Sequence, residues 1–125
     1  MNSRRLAGLA LGFFLASGAA LAHHGMSAYD TRTSVTLEGT VTKFEFINPH
    51  VLIHFDTKDD KGNVEPWEAE VNPPNSLYRT GWDTNTLKPG DNITATGFAA
   101  KDGRKLMILR KIKWPNGKVV TLGPQ

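Results

Sequence analysis

The stretch from Phe44 to Phe55 constrains the fold of this chain more than any other. Its centre, Asn48-Pro49, predicts a turn, because proline fixes its own backbone angle and moves the preceding residue toward extended conformations. From His50 onward apolar and polar residues alternate, which predicts a strand with one face in a core. The apolar set is Val51, Ile53 and Phe55. His50 and His54 fall on the other face, roughly 13 Å apart at ~3.3 Å per residue.

Residues 1–22 have the three parts of a secretory signal peptide. A start with Arg4 and Arg5 precedes an apolar run, and the segment ends in Ala20-Leu21-Ala22. We predict cleavage after Ala22 and a periplasmic location. The alternative is an uncleaved membrane anchor, although the apolar run is short for a span of about 20 residues. The paired arginines fit both general secretion and twin-arginine export.

Cleavage would leave 103 of the 125 residues, enough for one domain with a modest core. The leader holds two of the 15 basic residues, so the mature chain has 13 basic against 12 acidic residues. This near-neutral balance argues against nucleic acid as a partner. The chain has no cysteine, so an exported domain of this kind must rely on its core or on a ligand.

Hydrophobic periodicity predicts an arm over residues 23–34 and a β-barrel domain over residues 35–125. Val35, Leu37 and Val41 share one parity and Phe44 and Phe46 the other, which predicts a bulge between residues 39 and 43. A second strand covers residues 51–56. A third strand carries Trp67, Ala69 and Val71 inward, with Glu65, Glu68 and Glu70 expected on a solvated acidic face.

A short helix is predicted next, with Asn72 as its cap, a proline in its first turn and an end at Gly81. Leu77 and Trp82 are expected to pack inward. Turn signals at residues 88–91, 102–103 and 115–117 separate strands over 93–98, 106–114 and 119–122. The sequence therefore predicts an all-β, OB-like Greek-key barrel of five to six strands, with one short helix between strands three and four.

Several short motifs resemble those of a family of small exported bacterial proteins grouped as a domain of unknown function. They are His23-His24 after the leader, Gly39-Thr40-Val41, Asn48-Pro49-His50, Pro74-Asn75-Ser76-Leu77, Gly81-Trp82 and Leu87-Lys88-Pro89-Gly90-Asp91. The resemblance covers nearly all of the mature chain. It implies an exported barrel and supplies no activity.

The four histidines form the candidate site. Once cleaved, His23 would offer its α-amine and ring Nδ1 as a chelating pair, and both nitrogens lose protons near neutral pH. His24 adds a third nitrogen and His50, preferred to His54, a fourth. Nitrogen-rich ligation favours Cu(II), while Zn(II) can use three histidines and a water. Met26 offers a soft ligand for Cu(I).

A structural interpretation of the same histidines stands beside this one. His23 and His24 can be surface residues of a mobile arm, since chain termini are commonly disordered. His50 can bond the backbone of the turn, and His54 can face solvent. These roles need no metal.

Two other functions remain open. The first is an interaction module that holds a protein, a glycan or another polyanion on a basic patch made of Arg104, Lys105, Arg110, Lys111 and Lys113. Polyanion binding should weaken with salt, whereas copper binding should weaken as pH falls. The second is a metal-dependent oxidase or oxygenase. The sequence shows no acid–base pair or substrate surface, so we expect a binding protein rather than an enzyme.

Overall fold

The computed structural model describes residues 25–124. The elements of the described chain are β1 (Val35–Glu45), β2 (Leu52–Lys58), β3 (Val64–Glu70), α1 (Pro74–Tyr78), β4 (Asn92–Ala99), β5 (Leu106–Lys113) and β6 (Val119–Thr121), preceded by a 3₁₀ turn, Met26–Ala28. No helix within residues 25–124 is both long and apolar enough to cross a membrane.

The sheet closes on itself. Its strand order is β3-β2-β1-β4-β5-β6, and a parallel pairing of β3 with β5 joins the two sides. The result is a closed five-stranded barrel extended by β6, with α1 between β3 and β4. This is the OB-type architecture that the sequence predicted.

β1 bends to serve two sheet partners. Its first half pairs with β4 and its second half with β2, and the register shifts between Val41 and Lys43. Such a bulge reverses which parity points inward. Val35, Leu37 and Val41 therefore pack on one side of the shift and Phe44 and Phe46 on the other, around the same core. This confirms the predicted bulge.

The barrel interior is filled by apolar side chains from every strand of the barrel. Val51, Ile53, Phe55, Ala69, Val71, Ala95, Met107, Leu109 and Ile112 are each no more than 1% exposed. Leu77 and Trp82 are buried against this core, as expected. The alternation in β2 thus places the core on one face and His54 on the other.

Several predicted boundaries were wrong. β2 begins at Leu52 rather than at Val51, because β1 ends opposite Leu52, at Glu45. The helix ends at Tyr78 rather than at Gly81.

Asn72 does not cap the helix. Pro73 holds that position without a side-chain bond, and the Asn72 amide instead donates to the carbonyl of Pro124.

The described part of the arm lies against the end of β4. Tyr29 forms a backbone bridge with Ala100, and the amide of Asp30 donates to the carbonyl of Ala99. Lys101 completes the attachment, since its amide donates to the Ala28 carbonyl and its ammonium to the Ser27 carbonyl. Residues 27–30 are therefore fixed to the barrel.

Candidate metal centre

His50 lies at the exit of the turn between β1 and β2, beside the end of β3. The peptide bond between Asn48 and Pro49 is cis. Val51 then pairs with the chain that follows β3, with its carbonyl accepting from the amide of Val71 at 2.8 Å. This pairing brings the His50 ring next to Glu70 and Val71.

The His50 ring is held by both of its nitrogens. Nδ1 lies 3.1 Å from the carbonyl oxygen of Val71. A carbonyl can only accept, so Nδ1 donates, and in the neutral ring the lone pair is then on Nε2. Nε2 lies 3.4 Å from Oε1 of Glu70, and the two side chains are each 23% exposed. The ring thus presents a metal-competent nitrogen to a carboxylate.

His54 is engaged differently, between two carboxylates. Its Nε2 lies 2.7 Å from Oε2 of Glu45 and its Nδ1 lies 3.5 Å from Oε2 of Glu68. Lys43 also contacts Glu45, at 2.8 Å. Hydrogen bonds from Lys43 first and His54 second lower the pKa of Glu45, which therefore stays ionised. Both ring nitrogens of His54 therefore contact carboxylates on the outer face.

The acidic face of β3 is less solvated than the sequence suggested. Glu68 lies opposite His54 in the β2–β3 register, and Glu70 lies opposite Leu52. The two carboxylates are partly buried and contact the two histidines. Glu68 and Glu70 are two positions apart on β3, so their side chains lie on the same side of the strand. The pairing of β3 with β2 places the two histidine rings beside them.

Tyr29 places the arm near this face. Its pKa is raised, first by burial and then by the negative charge of Glu70, with a smaller effect from Glu68. The phenol is therefore within electrostatic range of Glu70. Gly25, where the described chain begins, is four residues earlier along the arm.

The other predicted ligands, His23 and His24, lie outside the described residues. Within residues 25–124, no three His, Cys, Asp or Glu side chains lie close enough together to hold a metal ion. The structure does not bring His50 and His54 into one such group. The barrel by itself offers the pair His50 and Glu70. Nothing in the residue pattern alone selected Glu70, because its role depends on the register of β2 with β3.

The five residues of the predicted basic patch have separate surroundings. Arg104 is bound to Asp102 at 2.7 Å. Lys105 lies 3.3 Å from Glu65 and 5.4 Å from the ring centre of Trp67. Arg110 donates to the carbonyl of Gly123. Lys111 and Lys113 are exposed on the far half of β5, opposite Thr96 and Thr94.

An open groove of about 790 Å³ crosses the outside of β1 and β4 near the end of β5. Its walls carry hydroxyl, amide and charged groups together with Trp114. The lining includes Glu38, Thr40, Asp56, Asn92, Lys113 and Trp114. The sequence pattern did not indicate this groove, since its residues come from four separate segments.

The closed five-stranded barrel, with α1 between β3 and β4, is a small OB-type domain. The chain belongs to a family of unknown function (DUF6152), whose sequence model matches residues 12–108. No curated protein sequence matches the chain.

Solved structures of similar shape are OB-type proteins or parts of larger ones. TiaS, in a complex with a tRNA and ATP, is 24% identical with a TM-score of 0.49; the match covers 75% of this chain and 19% of TiaS. The mitochondrial single-stranded DNA binding protein Rim1 of S. cerevisiae is 13% identical over 73% of this chain and 97% of its own, with a TM-score of 0.48. The N-terminal domain of PriB from Thermoanaerobacter tencongensis is 19% identical over 75% and 99%, with a TM-score of 0.43. These likenesses concern the fold alone.

Proposed function

We propose that this protein is exported, loses its leader after Ala22 and binds a transition metal, with copper favoured. The site would join the new terminus to the barrel. Its ligands are the amine and ring of His23, the ring of His24 and Nε2 of His50. The role is capture, buffering or delivery, since every donor in this set is used to hold the ion.

The state of the His50 ring is the observation that carries this proposal. A metal-binding histidine commonly donates its second N–H to a backbone carbonyl or a carboxylate, which fixes the tautomer. The contact of His50 Nδ1 with the Val71 carbonyl has this form, and Nε2 is then the nitrogen that would bind the metal. The same contact would also serve the turn without a metal, so the test must separate the two roles.

The attachment of the arm supports the same site. Tyr29 ties the arm to the barrel within electrostatic range of Glu70, which in turn contacts His50. Two nitrogens from a terminal histidine close one chelate ring, and a nitrogen-rich tetragonal set suits Cu(II). Zn(II) remains the alternative metal.

The test is a Cu(II) titration of the mature protein, with His23 verified as its terminus by mass spectrometry. We expect stoichiometric, submicromolar binding. A chain with one extra N-terminal residue and His50→Ala should each bind at least about tenfold more weakly, a loss of about 1.4 kcal/mol. His54→Ala is the matched control and should change the Kd less than about twofold, because Glu45 and Glu68 already engage that ring.

Affinity that is unchanged in both the extended chain and His50→Ala would refute the joint site. The histidines would then have only structural roles, at the surface of the arm and in the turn before β2. Folding of each variant is checked by thermal melting of the metal-free protein.

The second candidate function is an interaction module, which the groove beside Trp114 favours. Two carboxylates and two lysines balance each other in its lining, together with threonine hydroxyls. An uncharged, hydroxyl-rich partner such as a glycan suits this lining better than a polyanion does. Binding that weakens steeply with ionic strength would instead indicate a polyanion.

A further inference from the structure

We infer that this protein binds an uncharged linear glycan along two adjoining grooves of the barrel, with Trp114 between them as the stacking platform. The inference rests on the interaction module, the second candidate function, and does not depend on the metal site. It adds a second groove, a role for Trp114 and a length requirement for the ligand.

The two grooves share a wall at Trp114. The first groove is the one across β1 and β4. The second, of about 420 Å³, lies between the loop that follows α1 and the turn before β6. Trp114 and Pro115 line both. Sites for small ligands commonly measure ~300–1,000 Å³, so each groove has that size and the two together suit a longer chain.

Trp114 is held firmly at this junction. Its ring is partly exposed and packs edge-on against the buried ring of Trp82, with 4.9 Å between ring centres. Its amide donates to the carbonyl of Lys118, and its carbonyl accepts from the amide of Gly117. A ring fixed in this way loses little conformational entropy on binding, and the C–H groups of a sugar ring can stack on it.

The charged side chains of the first groove favour a partner rich in hydroxyl groups. Four of them form no ion pair within residues 25–124: Glu38, Asp56, Lys58 and Lys113. A sugar hydroxyl both donates and accepts, so a row of hydroxyls serves carboxylates and ammonium groups together. A polyanion would instead meet two carboxylates at close range, which opposes its binding.

Neutral hydrogen-bonding groups lie between these charges and are already oriented. The hydroxyl of Thr40 donates to Oδ1 of Asn92 at 2.9 Å, and the hydroxyl of Thr36 lies 2.9 Å from that of Thr96. These bonds join β1 to β4 and fix the side chains. The oxygens keep lone pairs for a ligand, and the Asn92 NH₂ group keeps its two donors.

The charge along both grooves stays close to neutral. The second groove adds Asp91, Lys88 and Lys118, of which Lys88 is paired with Asp91 at 3.3 Å. Together the two linings carry four lysines and three carboxylates. This balance favours an uncharged chain over a polyanion.

The experiment is a titration of the mature protein with cellohexaose and chitohexaose, two uncharged linear hexamers, followed by calorimetry and tryptophan fluorescence. We expect at least one hexamer to bind with little dependence on salt. The matching disaccharide should bind at least about tenfold more weakly, because it fills only one groove. Trp114→Ala should also weaken hexamer binding at least about tenfold. Tyr78→Ala is the matched control, since Tyr78 is 57% exposed and lies outside both grooves.

The control should change the Kd less than about twofold. Glu38→Ala keeps the test decisive if Trp114→Ala fails to fold, because Glu38 is exposed on the outside of β1. It should weaken hexamer binding at least about threefold through the loss of a charged acceptor, and Asp60→Ala, an exposed carboxylate outside both grooves, should not.

Binding of neither hexamer would overturn the inference and the glycan-binding module with it. Equal affinity for hexamer and disaccharide, or wild-type affinity in a folded Trp114→Ala or Glu38→Ala, would overturn the two-groove site and leave the interaction module standing. Salt-sensitive binding of oligothymidylate in place of the hexamers would overturn the inference in favour of a polyanion. The copper titration tests the metal site separately from all of these outcomes.

Discussion

Tyr29 is the residue that links the chemistry of the arm to that of the barrel. It is 3% exposed although it lies outside the main core, and its backbone is bridged to Ala100. Burial raises the pKa of its phenol above 10.0, and the charge of Glu70 adds to this effect. The folded protein therefore prefers the neutral phenol.

This preference predicts a loss of stability at alkaline pH. Because the folded pKa is raised, the stabilisation is complete below pH 10.0 and is lost as the pH rises through the raised pKa. The charged groups that act on the phenol are Glu70, Arg104, Glu68 and Asp102. We expect Tyr29→Phe to remove this part of the alkaline loss.

Urea unfolding of wild type and Tyr29→Phe at about pH 8 and about pH 11 measures the effect, since the ordinary tyrosine pKa is ~10. The variant should lose less unfolding free energy between the two conditions. An identical loss in both proteins would contradict the assignment of the raised pKa to Tyr29.

At the scale of the elements, the barrel wall includes an unusually close contact between the neighbouring strands β4 and β5. The β4–β5 register shifts between Thr96 and Gly97. A Cβ at Gly97 would lie 2.0 Å from the carbonyl oxygen of Ile108, a backbone atom that cannot move independently. Only glycine fits at this crossing.

Gly97→Ala should therefore lower the free energy of unfolding by about 3 kcal/mol, the upper part of the range for overpacked sites. Gly123→Ala is the matched control, because a Cβ there meets nothing within 4 Å. Its effect should stay within about 1 kcal/mol. Chemical denaturation measures both, and equal stability of the two variants would contradict the close contact.

Most of the fold was accessible from local patterns. Three signals depend only on residues close together in the sequence: the alternation in β2, the parity change in β1, and the proline and glycine turns. Together they predicted the barrel and its helix. The start of β2 could not be predicted, because it depends on where β1 ends. The role of Asn72 was missed because its amide bonds Pro124, 52 residues away.

The candidate site was accessible only in part. The histidines are conspicuous in a chain with four of them. Glu70 appeared as one member of a solvated acidic row, since its contact with His50 is made across strands. Tyr29 gave no periodic signal, because it lies outside the strands and its backbone is bridged to Ala100, which is distant in the sequence.

For the whole molecule, the inner and outer faces of the barrel wall differ in composition. Apolar residues fill the interior of a chain without cysteines, so stability comes from the core. The outer face of β2 and β3 carries histidines and carboxylates, and the arm is attached near Glu70. We propose that the arm and the barrel together form one metal site.

The most direct test of that claim is the loss of NMR signals around Cu(II), whose unpaired electron broadens nearby amide resonances. One equivalent added to the mature, isotope-labelled protein should broaden the amides of His50, Glu70 and Val71 together with those of the arm. Lys58, roughly 20 Å from Leu52 along β2 at ~3.3 Å per residue, is the internal control and should keep its signal.

Broadening of both regions at one equivalent is the predicted result. Broadening confined to the arm, with His50, Glu70 and Val71 unaffected, would show that the terminus binds copper without the barrel and would contradict the account.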